Sequence, residues 1–99
     1  MWIRSQNKQE LVCAEAVVIN ICFANGSLTD RQVDAYVGDD VITLGTYSSL
    51  ENAIRAVDRL EDAITQAYLN SMHAQYNAFV NRNDVIFYMP SDQEVGGSA

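Results

Sequence analysis

Large β-favouring side chains alternate with polar ones from Trp2 to Gln6 and again from Gln9 to Ala14, with Asn7-Lys8 between them. This spacing predicts a hairpin over residues 2–14. Residues 15–23 (EAVVINICF) form a dense β-branched run, which predicts a central strand buried on both faces. Ala24-Asn25-Gly26-Ser27 breaks it. A further strand is predicted over 31–37, a turn at Gly38-Asp39-Asp40, and a returning strand over 41–47. Residues 1–47 therefore read as an antiparallel meander.

The period then changes from two to 3.6. Ser48 followed by Glu51 has the spacing of a capping box, and no glycine or proline occurs between Gly45 and Pro90. On a helical wheel Leu50, Ala53, Ile54, Ala56, Val57, Leu60, Ala63, Ile64, Ala67 and Tyr68 share one side. Asn52, Arg55, Asp58, Arg59, Asp62 and Gln66 occupy the other, and Glu51 with Arg55 is a well-oriented i,i+4 pair. Met72, Ala74, Ala78 and Phe79 extend the same arc, so a helix over 49–79 would span about 45 Å. Either it breaks near Asn70-Ser71 or its second half projects toward another subunit. Asn81 to Asp84 turns the chain, and residues 85–89 form a last strand ended by Pro90.

The predicted fold class is α+β: an antiparallel β-meander or half-barrel of about five strands, one long amphipathic helix packed on it, and a final C-terminal strand. Residues 1–90 make one domain, and residues 91–99, with Gly96-Gly97-Ser98, are expected to be a disordered tail.

Composition narrows what such a domain can do. Thirteen acidic residues against six basic ones give a net charge of −7, with no basic stripe. Direct binding to a nucleic-acid backbone is therefore disfavoured, although a few arginines converging in one place can still hold a small anion. Cys13 and Cys22 lack CxxC spacing and read as reduced core residues. No apolar run has the length of a membrane span, and no apolar leader follows Met1-Trp2-Ile3-Arg4-Ser5. The expected compartment is a reducing cytoplasm.

Candidate chemistry is sparse. His73 is the only histidine and falls on the polar side of the wheel, so a nucleophilic triad or zinc site has little to build on. Asp39-Asp40 beside Gly38 reads as an Asx-type turn rather than a cation site. No P-loop, GxGxxG or nucleophile elbow occurs. The expectation is a protein with no catalytic residues, no metal and no cofactor. Five residues are candidates for ligand binding. Trp2 and Arg4 share one face of the first strand, as a core cap or as a cation–π platform for a base. Tyr36 and Tyr47 are expected to line the same sheet. Glu61 lies inside the apolar arc and either reaches out from its edge or meets an arginine, a ligand or a subunit boundary. Arg55 and Arg59 are expected in surface ion pairs.

The opening Met1-Trp2-Ile3-Arg4-Ser5-Gln6, the segment Leu44-Gly45-Thr46-Tyr47-Ser48 before an Ala53-containing amphipathic helix, and the closing Tyr88-Met89-Pro90 resemble a family of small uncharacterised proteins from phages and prophages of Gram-positive bacteria. The opening hexapeptide is the most specific match. The chain departs from that family by a longer stretch over about residues 70–82. The resemblance implies a phage protein acting in the host cytoplasm by binding host machinery. It would be an oligomeric sponge for a host immune signalling nucleotide, with Arg4 on phosphate and Trp2 or a tyrosine stacked on the base. The competing expectations are an acidic inhibitor of a host defence protein that mimics nucleic acid, and a structural or regulatory accessory protein.

Overall fold

The structure, a computed structural model, describes residues 1–22, 28–73 and 86–96, with the side chains of 70–73 excepted. The fold is α+β. The strands are β1 (Trp2–Arg4), β2 (Leu11–Val12), β3 (Ala16–Ile21), β4 (Arg31–Val37), β5 (Asp40–Tyr47) and β6 (Ile86–Tyr88). A long helix, α1 (Leu50–His73), precedes β6, and a short one, α2 (Asp92–Gly96), follows it. The hairpin, the β4–β5 turn and the helix onset fall within a residue or two of their expected places.

The strands form two three-stranded sheets rather than one meander, in the orders β2-β1-β6 and β3-β4-β5. The second is antiparallel throughout, but β6 lies parallel to β1, with Trp2 beside Ile86 and Arg4 beside Tyr88. The chain changes sheet between β2 and β3. The sheets meet again where β1 ends. There the Gln6 amide donates to the Leu44 carbonyl, and the Gln6 side chain is clamped between Thr46 and Pro90.

β3 is not a central strand buried on both faces. Among the described strands it pairs with β4 alone, and its residues are half-buried, with Ala16 and Ile21 exposed. Its β-branched run serves two environments. Val17 and Ile19 pack against the core, while Val18 lies opposite Asp34 on the outer face. Asp34 is buried opposite a bulge in β5, where Leu44 is the extra residue between the partners of Val33 and Asp34. One of its oxygens accepts from both Asn20 Nδ2 and Gln32 Nε2, and the other has no partner. Cys13 is exposed, contrary to expectation, since it follows the inward-facing Val12 just past the end of β2; Cys22 is buried, and both are free thiols.

Only part of the helical stripe is buried. Ala53, Ala56 and Leu60 face Ile3, Val33, Leu44 and Tyr47 in one core. The small side chains at 53 and 56 allow the helix to approach the sheet closely. Leu50, Ile54, Ile64 and Tyr68, on the flank of that arc, are exposed. The N-cap is Ser49, whose Oγ accepts from the Asn52 amide, not Ser48. The helix continues past Asn70 to His73. The expectations for 24–27, for the helix beyond His73, for the turn at 81–84 and for the side chains of Met72 and His73 lie outside the described residues.

Residues 91–96 do not form a disordered tail. Ser91 Oγ accepts from the Glu94 amide and Glu94 Oε1 accepts from the Ser91 amide, a reciprocal capping box that nucleates α2. Val95 joins the core. The C-terminal carbonyls of α2 accept from α1: Arg55 Nη1 donates to Val95 O and Arg59 Nη2 to Glu94 O. These arginines therefore clamp a helix end, and Arg55 also pairs with Glu51 as expected.

Asp92 closes the junction from the other side. Its carboxylate accepts from the Ser48 amide and from Asn52 Nδ2, both at 2.9 Å. Burial acts to raise its pKa, but the bonds from Ser48 and Asn52 outweigh it and hold the group below the usual value. A depressed folded pKa stabilises the fold above the unfolded value, near 3.9, and that contribution is lost as pH falls through the folded value. The stability advantage of the native chain over Asp92→Asn should be full at pH 6 and close as pH falls below about 3.9. Thermal melts of both proteins across that window test this, and a gap that ignores pH would refute it.

Candidate functional site

The strongest surface constellation is the outer face of the β2-β1-β6 sheet. Strand alternation turns Ile3 into the core and leaves Trp2 and Arg4 facing out. The flanking registers then build the face across strands. Leu11, Arg4 and Tyr88 form one row, and Trp2 and Ile86 form the next. Trp2, Leu11 and Tyr88 are each exposed.

The β1–β2 loop adds a second cation. Ser5 is fully buried, its Oγ donating to Asn7 Oδ1 and accepting from the Glu10 amide. Its carbonyl accepts from the Lys8 amide. This knot holds Lys8 at φ 68°, a left-handed conformation costing about 1–2 kcal/mol for a residue with a Cβ. Lys8 Nζ consequently lies 5.1 Å from the centroid of the Tyr88 ring, a cation–π contact. Arg4 Nη1 donates to the Lys8 carbonyl at 3.1 Å, which orients the guanidinium, and its Nε is buried without an acceptor. Two of the chain's six basic residues thus stand among an indole and a phenol.

The other expected site residues go elsewhere. Tyr47 is a core residue: it is 1% exposed and its hydroxyl donates to the Pro90 carbonyl at 2.7 Å. Burial, reinforced by the charges of Asp92 and Glu94, pushes its phenol well above the ordinary range. Tyr36 lies on β4, in the other sheet from Trp2, between Ala16 and Val41. Its side chain is exposed. Glu61 is exposed on α1 and lines a separate groove. The expected set therefore reduces to Trp2 and Arg4 here, and the structure adds Tyr88 and Lys8. Neither addition was readable locally, because both depend on the β1–β6 pairing.

Among the described residues, no group of three or more His, Cys, Asp or Glu could hold a metal ion. No described helix is long and apolar enough to cross a membrane. No protein-family model matches the chain, and neither a curated protein nor a solved structure is similar to it.

Proposed function

We propose that this chain is a non-catalytic binding protein that sequesters a small anionic nucleotide on the outer face of the β2-β1-β6 sheet. The observation that carries this reading is the in-register placement of Trp2 and Arg4 beside Ile86 and Tyr88, with Lys8 over the Tyr88 ring. An aromatic flank offers a base a stacking surface, and two cations serve a phosphate, within a molecule whose net charge is −7. The face is open, so one copy covers one side of a flat ligand, and a second copy would enclose the other. A homo-oligomer is part of the proposal for that reason. The proposal takes the host cytoplasm as the setting, which the resemblance of residues 1–6, 44–48 and 88–90 to phage proteins implies, and a host signalling nucleotide as the ligand that suits that setting.

Trp2 is the only tryptophan, so its emission reports on this face directly. Titration with cyclic mononucleotides, cyclic dinucleotides and ADP-ribose should give quenching by one class, with a melting temperature that rises by mass action. Arg4→Ala should weaken that ligand at least ~10-fold while changing stability by no more than about 1 kcal/mol, since its bond to Lys8 O is exposed. Light scattering tests the oligomer. Silence across the panel in both readouts, or full affinity in Arg4→Ala, refutes the reading.

A further inference from the structure

A second surface, on a different element, remains. Along α1, Leu50, Ile54, Val57, Glu61, Ile64 and Tyr68 follow one another at spacings of four and three residues. That is the four-three alternation of a coiled-coil seam, whose ideal period is about 3.5 residues. The seam runs about 27 Å along the helix. It lies on the flank of the buried arc: Val57 packs against the edge of the core, and the apolar positions on either side of it stand outside. Leu50 is 47% exposed, Ile54 43%, Ile64 49% and Tyr68 64%. Exposed apolar side chains in a single line at this spacing are not the scattered apolar residues of an ordinary surface.

The middle of the seam opens into a groove of about 410 Å³. Val57, Glu61 and Ile64 form its helical wall, and Met1, Glu15 and Val17 stand among the residues of the other. Its apolar lining therefore carries carboxylates from both sides. Glu15 is held in place, because its Oε1 accepts from the Gly38 amide at 3.0 Å.

Charge decides what fits. Glu61 interrupts the seam, and Glu51, Asp58 and Asp62 belong to the same helix. Of the two arginines of α1, Arg55 pairs with Glu51 and both reach across to the α2 carbonyls, which leaves Asp58, Glu61 and Asp62 without an arginine partner among the described residues. A second copy laid along this seam would bring acidic rim against acidic rim, and in parallel register Glu61 against Glu61, a like-charge arrangement in an apolar contact. A helix with an apolar seam and Lys or Arg at its flanks meets no such penalty and gives Glu61 and Glu15 their counter-charges. We infer that the Leu50–Tyr68 flank of α1, with its groove, is the docking surface for a cationic amphipathic helix of a partner protein. The surface is independent of the ligand face on the β2-β1-β6 sheet, and each can fail without the other.

Two synthetic helical peptides of about three heptads with the same Leu/Ile seam provide the probe, one flanked by Lys and one by Glu. Each carries a fluorescent label and is titrated with the full chain while anisotropy is followed. The native chain should bind the Lys-flanked peptide and not the Glu-flanked one. Glu61→Lys should weaken the first at least ~10-fold and admit the second, a swap that a merely sticky acidic protein would not show. Ile64→Asp, at an exposed position, should abolish binding with the circular dichroism spectrum unchanged. Three outcomes overturn the inference: no binding of the Lys-flanked peptide, equal binding of both peptides, or a native dimer in light scattering that Ile64→Asp dissociates.

Discussion

Tyr47→Ala is expected to remove about 3–5 kcal/mol of folding stability, a large share of the 5–15 kcal/mol typical of a small domain. The ring is among the largest fully buried side chains, in a core shared with Leu44, Leu60, Met89 and Val95. It lies against Gly45 so closely that a Cβ there would come within 3.0 Å of the phenolic oxygen. A side chain at 45 would therefore crowd the ring, and the backbone of Gly45 itself has no positive φ that favours glycine. Truncation would leave a cavity in the core between β5, Met89 and Val95. It would also leave the Pro90 carbonyl with only the Gln6 amide as donor. Tyr47→Phe separates the two contributions: it keeps the volume and deletes the hydroxyl, for a cost of about 1–2 kcal/mol. Urea denaturation of both variants measures the split. An alanine variant within 1 kcal/mol of the native chain would mean that the ring is not the keystone of this core.

Tyr47 also shows where sequence reading stopped. Period-two alternation placed β4 and β5 correctly, because local spacing decides which face a strand residue takes. It could not distinguish Tyr36 from Tyr47, both aromatic and both in strands, since what buries Tyr47 is a segment arriving from residue 90 onward. The glycines of that segment point to a tail, yet Ser91-Asp92-Gln93-Glu94 carries the same S-x-x-E spacing as Ser48-Ser49-Leu50-Glu51. At Ser48 the motif was one residue off. Ser49 is the cap, because its Oγ is the one that accepts from the Asn52 amide, while the Ser48 amide donates to Asp92. The helical wheel located the apolar side of α1 but not its division into a buried arc at 53, 56 and 60 and an exposed flank at 50, 54, 64 and 68. A wheel reports side, and only the width of the opposing sheet sets how much of that side is covered. Trp2 and Arg4 were legible as a pair because they lie two residues apart on one strand. Tyr88 and Lys8 were not, because a parallel register between the two ends of the chain has no local signature.

The opening hexapeptide divides into an outward pair, Trp2 and Arg4, and residues that build the fold: Ile3 and Ser5, which the same alternation turns inward, and Gln6, which lies beyond the end of β1. Gln6 joins the most distant parts of the chain. Its Oε1 accepts from the Thr46 amide, and its Nε2 donates to the carbonyls of Thr46 and Pro90, so one side chain acts as a strand's worth of backbone between the two sheets. Gln6→Ala should cost about 2–4 kcal/mol, from three lost hydrogen bonds at about 0.5–1.5 kcal/mol each and an orphaned Thr46 amide. Gln6→Glu is the sharper experiment, because it changes no shape. Its carboxylate would keep the acceptor for Thr46 N–H but turn an oxygen toward two carbonyls that need a donor. Two repulsive contacts against one favourable bond raise the folded pKa of the introduced carboxyl above its unfolded value, near 4.3. A raised folded pKa contributes stability below the unfolded value, and that contribution is lost as pH rises through the folded one. Relative to the native chain, Gln6→Glu should therefore be strongly destabilised at pH 7 and recover at pH 4, where the protonated oxygen can donate. Gln6→Ala should show a deficit that does not change with pH. Equal deficits for Gln6→Glu at the two pH values in urea denaturation would mean that the Gln6 amide nitrogen does not bridge the sheets.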